Sequence, residues 1–166
     1  MGLAVLLPGA LAGFADGYRI NLSPSEPLGL WRVLPARHLA RALARGEDVG
    51  FCAPVRPYPF LEAGTCPDGL MPFVKQIVGL PGDRIVETDR GVTVNGQRLP
   101  HSRPHRRSIS AALPLPQWRG HLTLSAGEYW TYGGNDPGLS FDSRYWGPLR
   151  RARIRFIARP VLTVGD

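Results

Sequence analysis

The sequence has almost no lysine. It carries 20 cationic side chains, of which nineteen are arginine and one, Lys75, is lysine. A preference for arginine carries no functional information by itself, because genome composition alone can produce it. The exception is therefore the residue to explain. It lies among apolar residues, in the stretch PFVKQIVGLPGD at positions 72–83.

Cysteine is also scarce. The chain has two, Cys52 and Cys66, and they do not form a C-x-x-C pair. The four histidines show no metal-ligand spacing either, so we expect no metal site and no cofactor. A structural disulfide between the two cysteines fits if the protein works in an oxidising compartment.

The sequence lacks a long hydrophobic run. The longest apolar stretch, Leu3–Phe14, has twelve residues, whereas a membrane span needs about twenty. We interpret residues 1–16 as the remnant of an N-terminal membrane anchor and residues 17–166 as one domain. The alternative for the apolar stretch is a short buried segment of the core.

Helical signal is weak, and the pattern predicts a mainly β fold with one or two short helices. The best helix candidate is 35–46, where Leu39 and Leu43 share one face and Gly46 follows. Elsewhere short strands alternate with turns such as NG. Residues 100–120, rich in proline and arginine, predict a surface excursion from the core, with a role at a substrate or membrane face.

The net charge of +7 permits an acidic partner, such as nucleic acid, anionic lipid or an acidic protein face. The arginines are spread along the chain, and a solvated basic surface explains them equally well. A non-catalytic basic module that binds DNA or anionic lipid is therefore one functional hypothesis.

Lys75 suggests catalysis instead. Arginine cannot lose its proton in a protein, whereas a lysine can. Burial in an apolar strand disfavours the charged amine and lowers the lysine pKa. Lys75 is thus a candidate general base, and the alternative is a lysine that snorkels to the surface or pairs with a carboxylate.

Two other segments carry candidate partners. In NLSPSEPLGLW, positions 21–31, prolines flank Ser25 and lie close to Ser23, which fixes the backbone around a possible nucleophile. In GGNDPGLSFDSRYWGPL, positions 133–149, Asp142 and Arg144 are spaced to form a bidentate pair. Each segment by itself also fits an ordinary loop or turn.

Taken together and in order, these segments resemble the boxes of the Ser/Lys signal peptidases. SPSEPLG resembles the nucleophile box S-x-S-M-x-P, and RGEDVGF resembles the G-D-x-V strand. VKQIVGLPGD resembles the lysine box almost letter for letter. GGNDPGLSFDSRYWGPL resembles the last box, although Gly134 and Asp136 depart from it. In the nucleophile box, Glu26 stands where methionine is usual.

The resemblance implies a role for each matching residue. Ser25 would be the nucleophile and Lys75 the general base, while the backbone N–H of Ser25 and the hydroxyl of Ser23 would form the oxyanion hole. Ser140 would orient the lysine amine, and Asp142 with Arg144 would support that segment. The implied fold is a core of coiled antiparallel sheets.

The motif N-x-S-x-S-x-P-x-G-L-W, together with the cysteine pair, resembles the conjugative-transfer (TraF-type) branch. That branch implies a periplasmic peptidase at the inner membrane that processes a pilin-like precursor, with cyclisation as an alternative to hydrolysis. In that setting we predict a Cys52–Cys66 disulfide and no specific nucleic-acid partner. The alternative within the family is a general type I signal peptidase that removes signal peptides from exported proteins.

Overall fold

The computed structural model describes residues 16–36, 41–55, 58–59, 61–109, 112–133, 136 and 139–164. In these residues the strands of both sheets pair antiparallel with their neighbours. The mainly β fold predicted from short strands between turns is confirmed.

In the described part of the chain the strands form two sheets. The larger has seven strands, in the order β1 (Tyr18–Asn21), β2 (Leu28–Pro35), β11 (Ile154–Val164), β3 (Asp48–Phe51), β4 (Phe73–Gly79), β9 (Glu128–Tyr132) and β10 (Leu149–Arg150). The smaller has four, in the order β7 (Gln97–Arg98), β6 (Gly91–Val94), β5 (Arg84–Thr88) and β8 (Gly120–Thr123). A one-turn helix, α1 (Ser143–Trp146), precedes β10, and a 3-10 turn (Arg151–Arg153) follows it.

Strand β4 carries the lone lysine into the interior. Along this strand Lys75, Ile77 and Gly79 are buried and alternate with half-buried residues. Successive side chains of a strand point to opposite faces, so the stem of Lys75 lies on the same face as Ile77. Val49 of β3 is its cross-strand partner and is itself fully buried.

The two sheets are joined by a shared hydrophobic core. Trp130 belongs to β9 of the larger sheet, yet it packs with Ile85 and Val92 of the smaller one. Its ring also meets Trp118 edge-on, with the centroids 5.0 Å apart. An aromatic of this size buries a large apolar area, so this contact holds the sheets together.

The predicted helix over 35–46 is wrong for Pro35 and for residues 41–46, whereas Ala36 has 3-10 geometry. Pro35 ends β2 opposite Phe156, and Arg41–Gly46 is not helical, while 37–40 lie outside the described residues. Hydrogen bonds to β4 explain the difference: the amide of Gly46 donates to the carbonyl of Ile77, and the amide of Ile77 donates to the carbonyl of Glu47. Pairing with a neighbouring strand overrides the weak local preference.

Several short elements were not predicted, namely β1, β10, α1 and the 3-10 turn at Arg151–Arg153. Strand β10 has two residues and helix α1 a single turn, so neither is long enough to show a hydrophobic period. Helix α1 begins after Asp142, whose side chain caps it by accepting from the amide of Arg144.

The predicted anchor and excursion stay predictions. Residues 1–15 lie outside the described residues, and no helix in the described part is long and apolar enough to cross a membrane. Most described residues of 100–120 are exposed or half-buried, whereas Ser102 and Pro104 are buried.

The predicted disulfide is present. Cys52 and Cys66 are bonded, 14 positions apart, and both are buried. The bond ties the end of β3 to the loop before β4, the strand that carries Lys75.

Removing this disulfide should lower the free energy of unfolding by about 3 kcal/mol, because a loop of about 15 residues regains its freedom in the unfolded chain. The change is Cys52→Ala with Cys66→Ala, and the measurement is urea unfolding at equilibrium. In a chain of this size the melting temperature should fall by on the order of 10 °C. Reductant should destabilise the wild type and leave the double variant unchanged. Equal stability of the two proteins would contradict the prediction.

Candidate active site

The structure brings Ser25 and Lys75 together from positions fifty residues apart. The Lys75 Nζ lies 2.8 Å from the Ser25 Oγ, within hydrogen-bond distance. Both side chains are buried, with 4% of Lys75 and 5% of Ser25 exposed. A hydroxyl and an amine are thus in contact where water has little access.

Burial is the main influence on the amine. It lowers the pKa of Lys75 from its ordinary value of 10.5, and the charge of Arg144 lowers it further. The carboxylates of Glu26, Asp142 and Asp48 oppose this by favouring the ammonium. Since burial is the largest of these effects, the net shift is downward. The amine also donates to the carbonyl of Val74, at 2.8 Å.

Asn21 holds the loop that carries the nucleophile. Its amide nitrogen lies 3.1, 3.1 and 3.0 Å from the carbonyl oxygens of Ser23, Glu26 and Pro27. Its Oδ1 accepts from the amide of Ser23, at 3.1 Å. One side chain therefore fixes the backbone on both sides of Ser25.

Ser23 lies on the exposed side of the same loop. Its Oγ is 3.1 Å from the Oγ of Ser25, so the two hydroxyls share a hydrogen bond. The oxyanion role of Ser23 and of the Ser25 amide stays a prediction.

Asp142 and Arg144 form the expected bidentate pair. Nε of Arg144 donates to Oδ1 of Asp142 at 2.8 Å, and one terminal nitrogen donates to Oδ2 at 2.9 Å. Both side chains are fully buried. Asp142 also accepts from the amide of Gly133, and Arg144 donates to the carbonyl of Ser140. The pair thus clamps the two ends of the loop between β9 and α1.

Two tyrosines connect this pair to the predicted excursion. The guanidinium of Arg144 lies over the rings of Tyr132 and Tyr145, 4.9 and 5.5 Å from their centroids. The Oη of Tyr132 donates to the carbonyl of Pro100, and the Oη of Tyr145 accepts from the amide of His105. These two hydrogen bonds attach Pro100 and His105 of the excursion to the tyrosines that contact Arg144.

Ser140 is near the site, but the expected hydrogen bond to the lysine is not formed here. Its Oγ is buried and has no hydrogen-bond partner in the described part of the chain. It packs against Gly133, where an added Cβ would come within 2.4 Å of the Ser140 side chain. Its orienting role stays a prediction. Gly134 lies outside the described residues, and Asp136 accepts from the amide of Leu139.

Two site residues were missed in the sequence, and each left a signal. Asn21 opens the motif N-x-S-x-S, and an asparagine can bond backbone groups within its own loop. Glu26 follows the nucleophile, where the family box has methionine, and only 2% of its surface is exposed. The acidic residue in the serine box could be seen in the sequence, but its burial could not.

A buried hydroxyl in contact with a buried amine is the pair of groups that acyl transfer by a serine and a lysine requires. Among the described residues, no group of three or more His, Cys, Asp or Glu side chains could hold a metal ion. An antiparallel β fold with this constellation is that of a signal-peptidase-like serine peptidase.

Comparison with known proteins defines the family. The chain belongs to the family described as signal peptidase, peptidase S26, whose model matches residues 1–162. Its relatives place it in the conjugal-transfer (TraF-type) branch. It is 35% identical to a conjugal transfer protein TraF from Agrobacterium tumefaciens, over 92% of this chain and 86% of the relative. It is 31% identical to a plasmid transfer protein TraF from Escherichia coli, over 98% and 91%.

General signal peptidases match less of the chain. Signal peptidase I V from Bacillus subtilis is 33% identical over 49% of this chain and 52% of its own. The solved structure of a signal peptidase I from Enterococcus faecalis is 22% identical with a TM-score of 0.38, and the match covers 69% of this chain and 94% of that one.

Replacing Asn21 by aspartate should disable the site and leave the fold intact. A carboxylate has no donor for the three carbonyl oxygens around it, so the loop and Ser25 should shift. A displacement of about 1 Å at a reacting group costs roughly 100-fold in kcat/KM. The measurement is initial rates on a peptide substrate, with circular dichroism to verify folding.

Asn95→Asp is the matched control. Asn95 forms the tip of the hairpin between β6 and β7 and also donates to a neighbour, Asp83. This variant should keep wild-type kcat/KM. Near-normal kcat/KM in Asn21→Asp would contradict the role given to Asn21.

Proposed function

We propose that the protein is a membrane-associated serine endopeptidase with a Ser25–Lys75 dyad. Its substrate would be a pilin precursor or another protein of conjugative transfer, cleaved on the periplasmic side of the inner membrane. The observation that carries the dyad is the 2.8 Å contact between the two buried side chains. The one lysine of an arginine-rich chain lies at this contact, which supports a role that arginine cannot fill.

In the first half of the reaction the neutral amine of Lys75 takes the proton of the Ser25 hydroxyl. The Oγ attacks the scissile carbonyl carbon, and the carbonyl oxygen of the substrate becomes negatively charged. The Ser23 hydroxyl and the backbone N–H of Ser25 would donate to this oxygen. The ammonium of Lys75 then protonates the leaving amine, the peptide bond breaks, and an acyl-enzyme remains.

In the second half a new nucleophile releases the acyl group. Lys75 takes a proton from the attacking group, and Ser25 leaves with the proton restored to its oxygen. If water attacks, the product is a shortened protein. If an amine of the substrate attacks, the product is cyclic and its mass is lower by one further water. The intact mass of the product therefore identifies the reaction.

The Asp142–Arg144 pair supports the dyad indirectly. It fixes Gly133 and Ser140, and the carbonyl of Ser25 would lie 3.5 Å from a Cβ added at Gly133. The loop between β9 and α1 thus packs against the loop that carries Ser25. We propose that Ser140 would orient the amine once the substrate is bound.

The substrate proposal follows the branch to which the chain belongs. The conjugal-transfer relatives match 92–98% of this chain, whereas the Bacillus signal peptidase matches about half of it. A general type I signal peptidase is therefore the weaker alternative. A non-catalytic basic module would have no need for a buried serine–lysine contact.

An exposed apolar surface supports the membrane part of the proposal. Ile20 of β1 and Leu162 of β11 lie on either side of Leu30 of β2. The apolar residues two positions along each strand continue the same face. Its exposed members are Ile20, Leu22, Leu28, Leu162 and Val164. Because β1 and β2 flank the Ser25 loop, this surface would hold the site at the bilayer.

The variant Ile20→Glu with Leu162→Glu should therefore lose binding to vesicles of phosphatidylethanolamine and phosphatidylglycerol, because two carboxylates oppose insertion of the surface. Co-sedimentation measures the bound fraction. The control, Met71→Glu with Thr123→Glu, adds the same charges at exposed positions outside this surface and outside the excursion, and should bind as the wild type does. Equal loss in both variants would exclude this surface as the contact.

Lys75→Arg should abolish cleavage while the protein stays folded, since the charge is kept and only the ability to be neutral is lost. We expect a loss of at least about 10³-fold in kcat for this variant and for Ser25→Ala, and no further loss in the double variant. The measurement is the rate of product formation from a purified pilin precursor, followed by intact mass.

The wild-type kcat/KM should rise with pH through a midpoint below 10.5, because the active form is the neutral amine and burial lowers the pKa of Lys75. A folded Lys75→Arg enzyme that keeps more than about one hundredth of the activity would refute the dyad.

A further inference from the structure

A cavity lies beside the disulfide. It has a volume of about 420 Å³ and is formed by the residues after β3, the loop before β4 and the start of β11. Ligand pockets have volumes of about 300–1,000 Å³ and combine mostly apolar walls with a few polar groups. None of the residues that line this cavity takes part in the proposed mechanism, so its use is a separate question.

The walls of the cavity are largely apolar and are held in place. Pro54, Val55 and Pro67 line it, and Val55 also packs against the hydrophobic core. The Cys52–Cys66 bond ties together the two stretches of chain that carry these residues. Because the proline rings and the disulfide restrict the backbone, the cavity is formed before any ligand arrives, which lowers the entropy cost of binding.

Arg153 is the first of two arginines that line the cavity. One of its terminal nitrogens donates to the carbonyl oxygens of Cys52 and Ala53, at 3.3 and 3.5 Å. Its backbone carbonyl accepts from the amide of Cys52, at 3.2 Å. In the described part of the chain the other guanidinium nitrogens have no partner. The side chain is therefore anchored at one corner and can still donate to a ligand.

Arg155 is placed by an irregularity in β11. The register of β11 against β3 shifts between Ile154, which lies opposite Phe51, and Phe156, which lies opposite Gly50. Arg155 is thus an extra residue, and a bulge of this kind redirects the side chain that it carries. Arg155 lines the cavity and forms no ion pair with the described residues.

Asp68 also lines the cavity, but it does not neutralise the arginines by contact. Its Oδ1 accepts from the amide of Leu70, at 3.2 Å, and no ion pair joins it to Arg153 or Arg155. The two positive charges outnumber the one negative charge. A ligand that fits therefore has a negative group for the arginines and an apolar part for the proline-lined wall.

We propose that this cavity is a docking site for an acidic residue of a polypeptide. The carboxylate would accept N–H bonds from Arg153 and Arg155, because the planar guanidinium group matches the geometry of a carboxylate. The apolar neighbour of the acidic residue would pack on Pro54 and Pro67. A peptide fits better than a small free anion, since an anion alone would leave the apolar walls uncovered.

A second contact of this kind would serve an enzyme that acts on proteins. When one segment of a polypeptide is held at a separate site, the segment to be cleaved meets the reacting groups at a raised effective concentration. Binding at the cavity is independent of the Ser25–Lys75 mechanism, because it can be measured without any cleavage.

The test uses two peptides with blocked ends, Gly-Leu-Glu-Leu-Gly and the matched Gly-Leu-Gln-Leu-Gly, and the ¹⁵N-labelled full chain. Amide signals in NMR spectra locate the site, and their shifts against peptide concentration give the Kd. We expect the glutamate peptide to shift the signals of Cys52, Ala53, Asp68 and Arg155. The glutamine peptide should bind at least about tenfold more weakly, because it lacks the charge that the arginines bind.

Three variants separate the cavity from the general basic surface. Arg155→Gln removes one of the two charges and should raise the Kd of the glutamate peptide about tenfold. Ala152→Phe fills the cavity from an exposed lining position and should raise the Kd with all charges kept. The control, Arg159→Gln, removes an exposed arginine of the same strand outside the cavity and should keep the wild-type Kd. Circular dichroism verifies folding, and Arg153→Gln replaces Arg155→Gln if that variant does not fold.

Equal Kd values for the two peptides, or a wild-type Kd in both Arg155→Gln and Ala152→Phe, would overturn the proposal. Displacement of the glutamate peptide by an equal concentration of inorganic phosphate would also overturn it, because the cavity would then be a general anion site. Each of these results would leave the Ser25–Lys75 proposal standing, since that proposal is decided by the activity of Lys75→Arg.

Discussion

The contact between a buried amine and a buried hydroxyl is the constraint on which the rest of this structure depends. Taking an ammonium out of water costs several kcal/mol, so the position is tolerated only if the amine is neutral or its charge is balanced. Strand β4 supplies the burial, because Lys75 lies on the same face as Ile77 and opposite Val49. The fold thereby gives lysine a chemistry that it lacks in solution.

The second requirement is to bring a hydroxyl to that amine and hold it there. Two sets of side-chain hydrogen bonds do this. Asn21 fixes the nucleophile loop, and the Asp142–Arg144 pair fixes the loop after β9. A buried ion pair contributes little net stability, because desolvation offsets its attraction. Its value here is geometric, since each partner also bonds backbone that lies beside the site.

The charges around the amine are arranged to set its protonation as well as its position. Arg144 disfavours the ammonium, and Glu26, Asp142 and Asp48 favour it. On the proposed mechanism the loop after β1 supplies the nucleophile. The apolar face of β1, β2 and β11 begins at the two ends of this loop, so the chemistry and the proposed membrane contact share one short segment.

The sequence alone determined the mainly β class, the disulfide and the segments that meet at the site, because turn residues, a single cysteine pair and the Ser25, Lys75 and Asp142–Arg144 boxes are local patterns. It failed where contacts between residues distant in the sequence determine the local structure. Residues 41–46 have a helical pattern, but Gly46 and Glu47 bond the backbone of β4 instead. Ser140 matches its box, yet its hydroxyl makes no bond to the amine in the described residues. Glu26 looks like a loop glutamate, yet only 2% of its surface is exposed in the folded chain. Burial and distance depend on the folded chain as a whole, and for that reason the tertiary structure alone assigned Asn21 and Glu26 to the site.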